Sequence, residues 1–298
     1  MSEPMKIDLT KNRPPADYVD VAYGPHERNR LDLYLAKSKA PTPLVVHIHG
    51  GGFRGGDKAM LRASLVTLCQ AAGISVAAVN YRLSQHALFP AAMHDGARAV
   101  QFLRANAKRW NLDPSRVAAT GGSAGAGISL WLGYHKDLAD PASDDPVARQ
   151  SIRPTCMGVI NAQSSYDLRF IARHIGQTAD AHPALLDFFG LKPGQIDTPE
   201  ARAMFAEASP IDFVSAGGPP VFMFYSIPDQ PVTPETTQND AIHHPTFGNL
   251  LKARLATFGI ECIVRYGDEV PGAVKDEKIM NVDPEMVGFF RRHFGMTR

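Results

Sequence analysis

Cysteine is scarce in this chain. Cys69, Cys156 and Cys262 are its only three, and none belongs to a C-x-x-C pair. That excludes a disulfide scaffold and argues against a structural zinc site. Each falls in an apolar segment and reads as a buried thiol. An excess of either charge is also missing: 31 Lys and Arg stand against 30 Asp and Glu. With no basic surplus and no acidic tail, nothing points to a nucleic-acid partner. No apolar run reaches the roughly 20 residues of a membrane-spanning helix. The opening MSEPMKIDLTKNRPP lacks the apolar stretch behind a basic start that marks a secretory leader. The expectation is a cytoplasmic protein without a membrane partner. H-x-x-x-H and H-E-x-x-H spacings are absent, so no metal is expected. Repeats and low-complexity tracts are absent as well.

What is present is an alternation of strand-like and helix-like apolar periods over a length normal for one α/β enzyme domain, residues 1–298. Residues 19–23 and 31–35 alternate around Gly24-Pro25 and predict an antiparallel hairpin at a sheet edge. Residues 44–48, 75–80, 117–120, 155–161, 221–226 and 261–266 predict buried strands. Helical spacing covers residues 58–72, with Gly73 as its stop, and Pro90 to about Trp110. Further helices are expected from about Ala124, over 247–258, and over 284–294. Asp113-Pro114-Ser115 reads as a turn and 139–154 as a polar loop. The sum is an α/β fold with an eight-stranded, mostly parallel sheet flanked by helices, whose ligands gather at the carboxyl ends of the strands. Residues 166–216 are too long for a simple connection and predict a helical cap insertion on the active-site side.

Gly121-Gly122-Ser123-Ala124-Gly125 is a G-x-S-x-G. A strand runs into it and a helix runs out, the setting of a nucleophile elbow. So sharp a turn needs small flanking residues, and it lifts the Ser123 hydroxyl to a helix N-terminus that favours negative charge. Upstream, His49-Gly50-Gly51-Gly52-Phe53 follows a strand. Successive glycines let backbone amides face one oxygen, as a tetrahedral intermediate requires. Gly51, Gly52 and Ala124 N–H are the expected oxyanion hole. No Lys-Ser or Lys-Thr pair follows to support a phosphate loop instead. His49 reads as a brace of its loop, and His47, inside a strand, as a satisfied core residue.

With HGGGFRGGDK (49–58), NYRLSQHALFPAAMHD (80–95), GGSAGAG (121–127) and SPIDFVSAGGPPVFMFYS (209–226), the chain resembles the hormone-sensitive-lipase-like branch of the α/β hydrolases, mostly carboxylesterases. The resemblance spans nearly the whole chain. It implies the α/β-hydrolase fold, a Ser-His-Asp site, no cofactor and a cap over the pocket. On it, Asp229 in SIPDQPV is the acid, with Asp167 in reserve. The loop after the last strand, where that family carries its histidine, holds none from Gly267 to Lys275. His243-His244-Pro245 is the substitute, on the loop that follows Asp229 and ahead of a helix. Sequence does not separate His243 from His244. The expected activity is hydrolysis of small or short-acyl esters through an acyl-Ser123 intermediate. The alternatives are a hydrolase-fold binding protein without a base, and an enzyme for a special ester such as an acetylated sugar or a lactone. A homodimer is left open.

Overall fold

The computed structural model describes residues 7–176 and 182–296. Its centre is one eight-stranded sheet, in the order β1-β2-β4-β3-β5-β6-β7-β8. The strands are β1 (Tyr18–Ala22), β2 (Arg30–Tyr34), β3 (Thr42–Ile48), β4 (Ser75–Val79), β5 (Leu112–Gly122), β6 (Cys156–Ile160), β7 (Val221–Tyr225) and β8 (Cys262–Tyr266). β2 pairs antiparallel with both β1 and β4, and every pairing from β4 to β8 is parallel. The expected edge hairpin is β1–β2.

The central strands are buried along their whole length because helices cover both faces. Alternation divides their side chains between two cores. Val45, Val76, Ala78, Phe222 and Phe224 meet α1 (Ala63–Ala71) and the C-terminal helix. Leu44, Val46, Ile48, Val79 and Met223 meet α2 (Ala91–Ala105) and α3 (Ala124–Tyr134). Between β6 and β7 run α4 (Leu168–His174), α5 (Pro183–Phe189) and α6 (Pro199–Ala208), within the segment expected to form the cap. After β7 come α7 (Gln238–Ile242) and α8 (Thr246–Ala256), then β8 and α9 (Lys275–His293).

Three expectations change in detail. The helix over 58–72 splits into a 3-10 turn at Lys58–Met60, capped by the Asp57 side chain, and α1. The turn at Asp113–Ser115 is carried within β5, where the Asp113 carboxylate accepts from Ser115 N and Oγ. Its residues bulge from the ladder, which pairs Thr42 with Leu112 and Leu44 with Val117. The last helix begins at Lys275, with Pro284 inside it rather than at its start. Proline at that point forgoes one backbone bond. The adjoining Asp283 is fully buried, held by Arg62 at 2.6 Å and Ser64 Oγ at 2.5 Å, and this ties α9 to the start of α1.

Candidate active site

β5 ends and α3 begins on Ser123, whose φ of 51° and ψ of −121° are costly for a residue with a side chain. The turn is held because Ser123 N donates to Ile160 O at 2.9 Å and Ser123 O accepts from Gly127 N at 3.0 Å. A methyl group on Gly125 would collide with the Ile48 and His49 carbonyls, and one on Gly121 would lie 2.5 Å from Ile48 O. The elbow therefore packs backbone to backbone on the end of β3.

The same strand end starts the glycine loop. Gly51 and Gly52 have φ of 116° and 58°. Arg54 N and Gly55 N both close onto Gly51 O, at 3.0 and 3.1 Å. The amides of Gly51 and Gly52 have no acceptor among the described residues, and both glycines line a cavity with Ser123 and Ala124. His49 braces this loop. Its Nδ1 donates to Gly50 O at 2.7 Å, which leaves Nε2 to accept from Arg28 Nη2 at 3.2 Å. The ring stacks on Tyr81 at 4.4 Å. Burial lowers its pKa to about 4, so the brace stays neutral.

The structure separates the two adjacent histidines. His243 Nε2 lies 2.8 Å from Ser123 Oγ. Its Nδ1 lies 2.8 Å from the backbone carbonyl of Asn239, one turn back on α7. A carbonyl only accepts, so Nδ1 carries the proton and the Nε2 lone pair faces the serine hydroxyl. His244 points elsewhere: Nδ1 meets Thr246 Oγ1 at 2.9 Å and Nε2 donates to Gln230 O at 2.6 Å. It ties the loop after β7 to the start of α8 and does not face Ser123.

Asp229 is not brought to His243. It is exposed and accepts from Asn249 Nδ2 at 2.9 Å, while Asn249 Oδ1 accepts from Tyr266 OH at 2.7 Å. The carboxylate thus remains beside the end of β8, where a histidine after the last strand would stand. The imidazole instead arrives from α7, which supplies a carbonyl as its rear partner. Asp167 is engaged by Arg169, at 3.0 and 2.6 Å, and caps α4. Among the described residues, no carboxylate is hydrogen-bonded to His243. Its pKa is lowered to about 4, first by burial and then by the Lys275 ammonium. Neither Lys275 nor the Asn239 carbonyl was singled out from sequence. A main-chain acceptor leaves no mark there, and Lys275 is an ordinary loop lysine until α9 begins on it.

The cavity in front of Ser123 and His243 measures about 350 Å³. Phe53, Tyr166, Ala184, Leu185 and Ile242 give it apolar walls, and His182 stands beside them. Tyr166 and the α5 residues Ala184 and Leu185, from within the 166–216 segment, stand on the serine side of the sheet. Among the described residues, no group of His, Cys, Asp and Glu is placed to hold a metal ion, and no helix is long and apolar enough to cross a membrane.

The BD-FAE family signature matches residues 31–243, which contain the hairpin's second strand, the glycine loop, the elbow and His243. The chain belongs to the BD-FAE family. It is an α/β hydrolase of the hormone-sensitive-lipase-like kind that the sequence resembled. Esterase LipQ of Mycobacterium tuberculosis is 27% identical over 219 residues, 72% of this chain and 49% of LipQ. The acetyl-hydrolase of Streptomyces hygroscopicus is 27% identical over 228 residues, covering 70% of this chain and 72% of its own. Among solved structures, an acetyl ester-xyloside bifunctional hydrolase from Caldicellulosiruptor lactoaceticus superposes with a TM-score of 0.63. It is 25% identical and covers 80% of this chain and 76% of that one. The chain spans about half the length of the mycobacterial relatives it matches.

Proposed function

We propose that the protein is a serine carboxylic-ester hydrolase for small or short-acyl esters, with Ser123 as nucleophile and His243 as general base. The observation that carries this reading is the contact chain Ser123 Oγ, His243 Nε2–Nδ1, Asn239 O, both links at 2.8 Å. Ser123 Oγ attacks the ester carbonyl carbon while its proton passes to His243 Nε2. The carbonyl oxygen takes the negative charge and is held by the N–H groups of Gly51, Gly52 and Ala124. His243 then gives its proton to the departing alkoxide oxygen, leaving an acyl-Ser123 ester. Water, deprotonated by His243, attacks that ester. The carboxylic acid leaves and the proton returns to Ser123 Oγ.

The Asn239 carbonyl performs one of the two tasks of a triad acid. It fixes the tautomer and the ring orientation. Being neutral, it does less of the other, which is stabilising the imidazolium. The binding-protein alternative drew on the missing histidine after β8, and an imidazole at hydrogen-bond distance from Ser123 removes that ground. A cavity of about 350 Å³ walled by Ala184, Leu185 and Ile242 suits a short acyl chain. The acetyl-releasing names of two relatives agree with it.

The test is turnover of p-nitrophenyl esters. Acetate and butyrate should be hydrolysed faster than laurate or palmitate. His243→Ala should cost on the order of 10²–10⁴ in kcat, the usual contribution of a positioned base, while His244→Ala should retain most of kcat if it stays folded. Equal kcat in native protein and His243→Ala, or a preference for palmitate, would overturn the reading.

A further inference from the structure

A second cavity, of about 250 Å³, opens on the other side of the Ser123–His243 pair. It shares Gly51, Ser123 and His243 with the first, so a scissile ester at Ser123 would extend into both. The two differ in chemistry. The first has apolar walls from the cap and α7. The second lies toward α9, and His47, Asn161, Arg62 and Lys275 supply its polar wall.

No Asp or Glu lines this second cavity among the described residues, although 30 occur in the chain. Arg62 is neutralised by Asp283 at 2.6 Å. Lys275 has no carboxylate partner among the described residues, and its ammonium is near enough to oppose protonation of His243. Asn161 is 4% exposed, and its Oδ1 is occupied by Ser226 N at 2.8 Å and Ser226 Oγ at 3.2 Å. Its Nδ2 is thereby left as a donor with no acceptor among the described residues. His47 is also only 4% exposed, and its buried Nδ1 has no partner among the described residues. The Asn161 amide donor and the Lys275 ammonium, neither with a carboxylate partner among the described residues, form an arrangement that an anionic acceptor would complete.

We propose that this second cavity is a carboxylate-binding subsite for the leaving group, and that the preferred substrates are short-acyl esters of small hydroxy-carboxylic acids. The proposal rests on the esterase reading above. With the acyl group in the cap-side cavity, the alcohol portion enters the second one, and its carboxylate meets Lys275 and the Asn161 amide. That negative charge also offsets the Lys275 ammonium beside His243. The substrate thereby adds to the electrostatic support for the imidazolium, to which no described carboxylate is hydrogen-bonded. The preference therefore appears in kcat as well as in KM.

The experiment compares 4-acetoxybenzoate with 4-acetoxybenzamide, which share shape and scissile bond and differ in charge. The native protein should favour the carboxylate by about tenfold or more in kcat/KM, the scale of one charge-assisted contact. Lys275→Met should abolish that ratio, Lys275→Arg should keep most of it, and 0.5 M salt should compress it to roughly a third. A native ratio of one or less while both esters are hydrolysed overturns the subsite and leaves the esterase reading intact. So does a ratio unchanged in Lys275→Met. If neither ester is hydrolysed, the esterase reading fails, and binding of 4-hydroxybenzoate against 4-hydroxybenzamide by calorimetry decides the subsite alone. Tighter binding of the acid, lost in Lys275→Met, supports it, and equal binding overturns it.

Discussion

Asp229→Asn separates this site from an ordinary Ser-His-Asp triad. In such a triad the same change costs on the order of 10⁴ in kcat, because the histidine is held in the wrong tautomer and its cation loses support. That corresponds to about 5 kcal/mol of activation free energy. Here the tautomer is set by the Asn239 carbonyl, 2.8 Å from Nδ1. Among the described residues, the charged and titratable groups that act on His243 are Lys275 from α9, His182 at the start of α5 and Asp240 from α7, and Asp229 is not one of them. The Asp229 carboxylate is exposed, and its one side-chain bond is accepted from Asn249 Nδ2. An asparagine keeps an oxygen for that bond, so the expected loss of stability is about 1 kcal/mol or less. The predicted change in kcat on p-nitrophenyl acetate is less than about twofold, set against the 10⁴ of a working acid. The assay pairs initial rates with a melting curve of each protein. A loss beyond about a hundredfold in a variant with unchanged Tm would show that Asp229 supports the base during turnover, and the reasoning would be refuted.

The pH profile is a second prediction. As the proposed base, His243 would work only when neutral, and its pKa is lowered to about 4. Activity should hold from neutral pH down through about 5 and fall as pH drops through about 4, whereas an unperturbed imidazole would turn near 6.5. An acid limb near 6.5 would contradict the burial of His243 and its proximity to the Lys275 ammonium. Stability should change over the same range. His49 and His243 are both depressed to about 4 and His47 is depressed as well, so below about 6.5 the unfolded chain binds more protons than the native one. Stability therefore declines as pH falls from about 6.5 to about 4, measured by urea unfolding at each pH; a flat profile would count against burial of the neutral rings. Finally, Gly125→Ala should push the elbow off the end of β3, costing about 1–3 kcal/mol together with most of the activity, read by Tm and ester turnover. Native behaviour of that variant would show that the close packing of the elbow is not needed.

The parts legible in the sequence were those with steric or periodic signatures. The elbow needs glycine because Gly121 and Gly125 lie against the carbonyls of β3. The buried strands show as apolar runs because helices cover both faces. The rear partner of the base carried no such signature. A carbonyl on α7 is encoded by the path of the backbone rather than by a residue type, whereas the family resemblance points to a carboxylate, Asp229. Adjacent histidines likewise differ only in which way the chain turns at the end of α7, which aims His243 at Ser123 and His244 at Gln230. His47 reads in the sequence as a satisfied core residue, whereas its buried Nδ1 has no partner among the described residues. The length of the last helix was hidden by Pro284, which reads as a start and lies in the interior.

The central claim is an acyl-Ser123 intermediate formed with the help of His243. Its most direct test is to quench the protein within milliseconds of mixing with p-nitrophenyl acetate and measure the mass of the peptide that carries Ser123. The account predicts an added acetyl group on Ser123 in the native protein, none in Ser123→Ala, and accumulation slowed by orders of magnitude in His243→Ala. Ester hydrolysis that continues in Ser123→Ala, or an acetyl group found on another residue of the competent native protein, would contradict it.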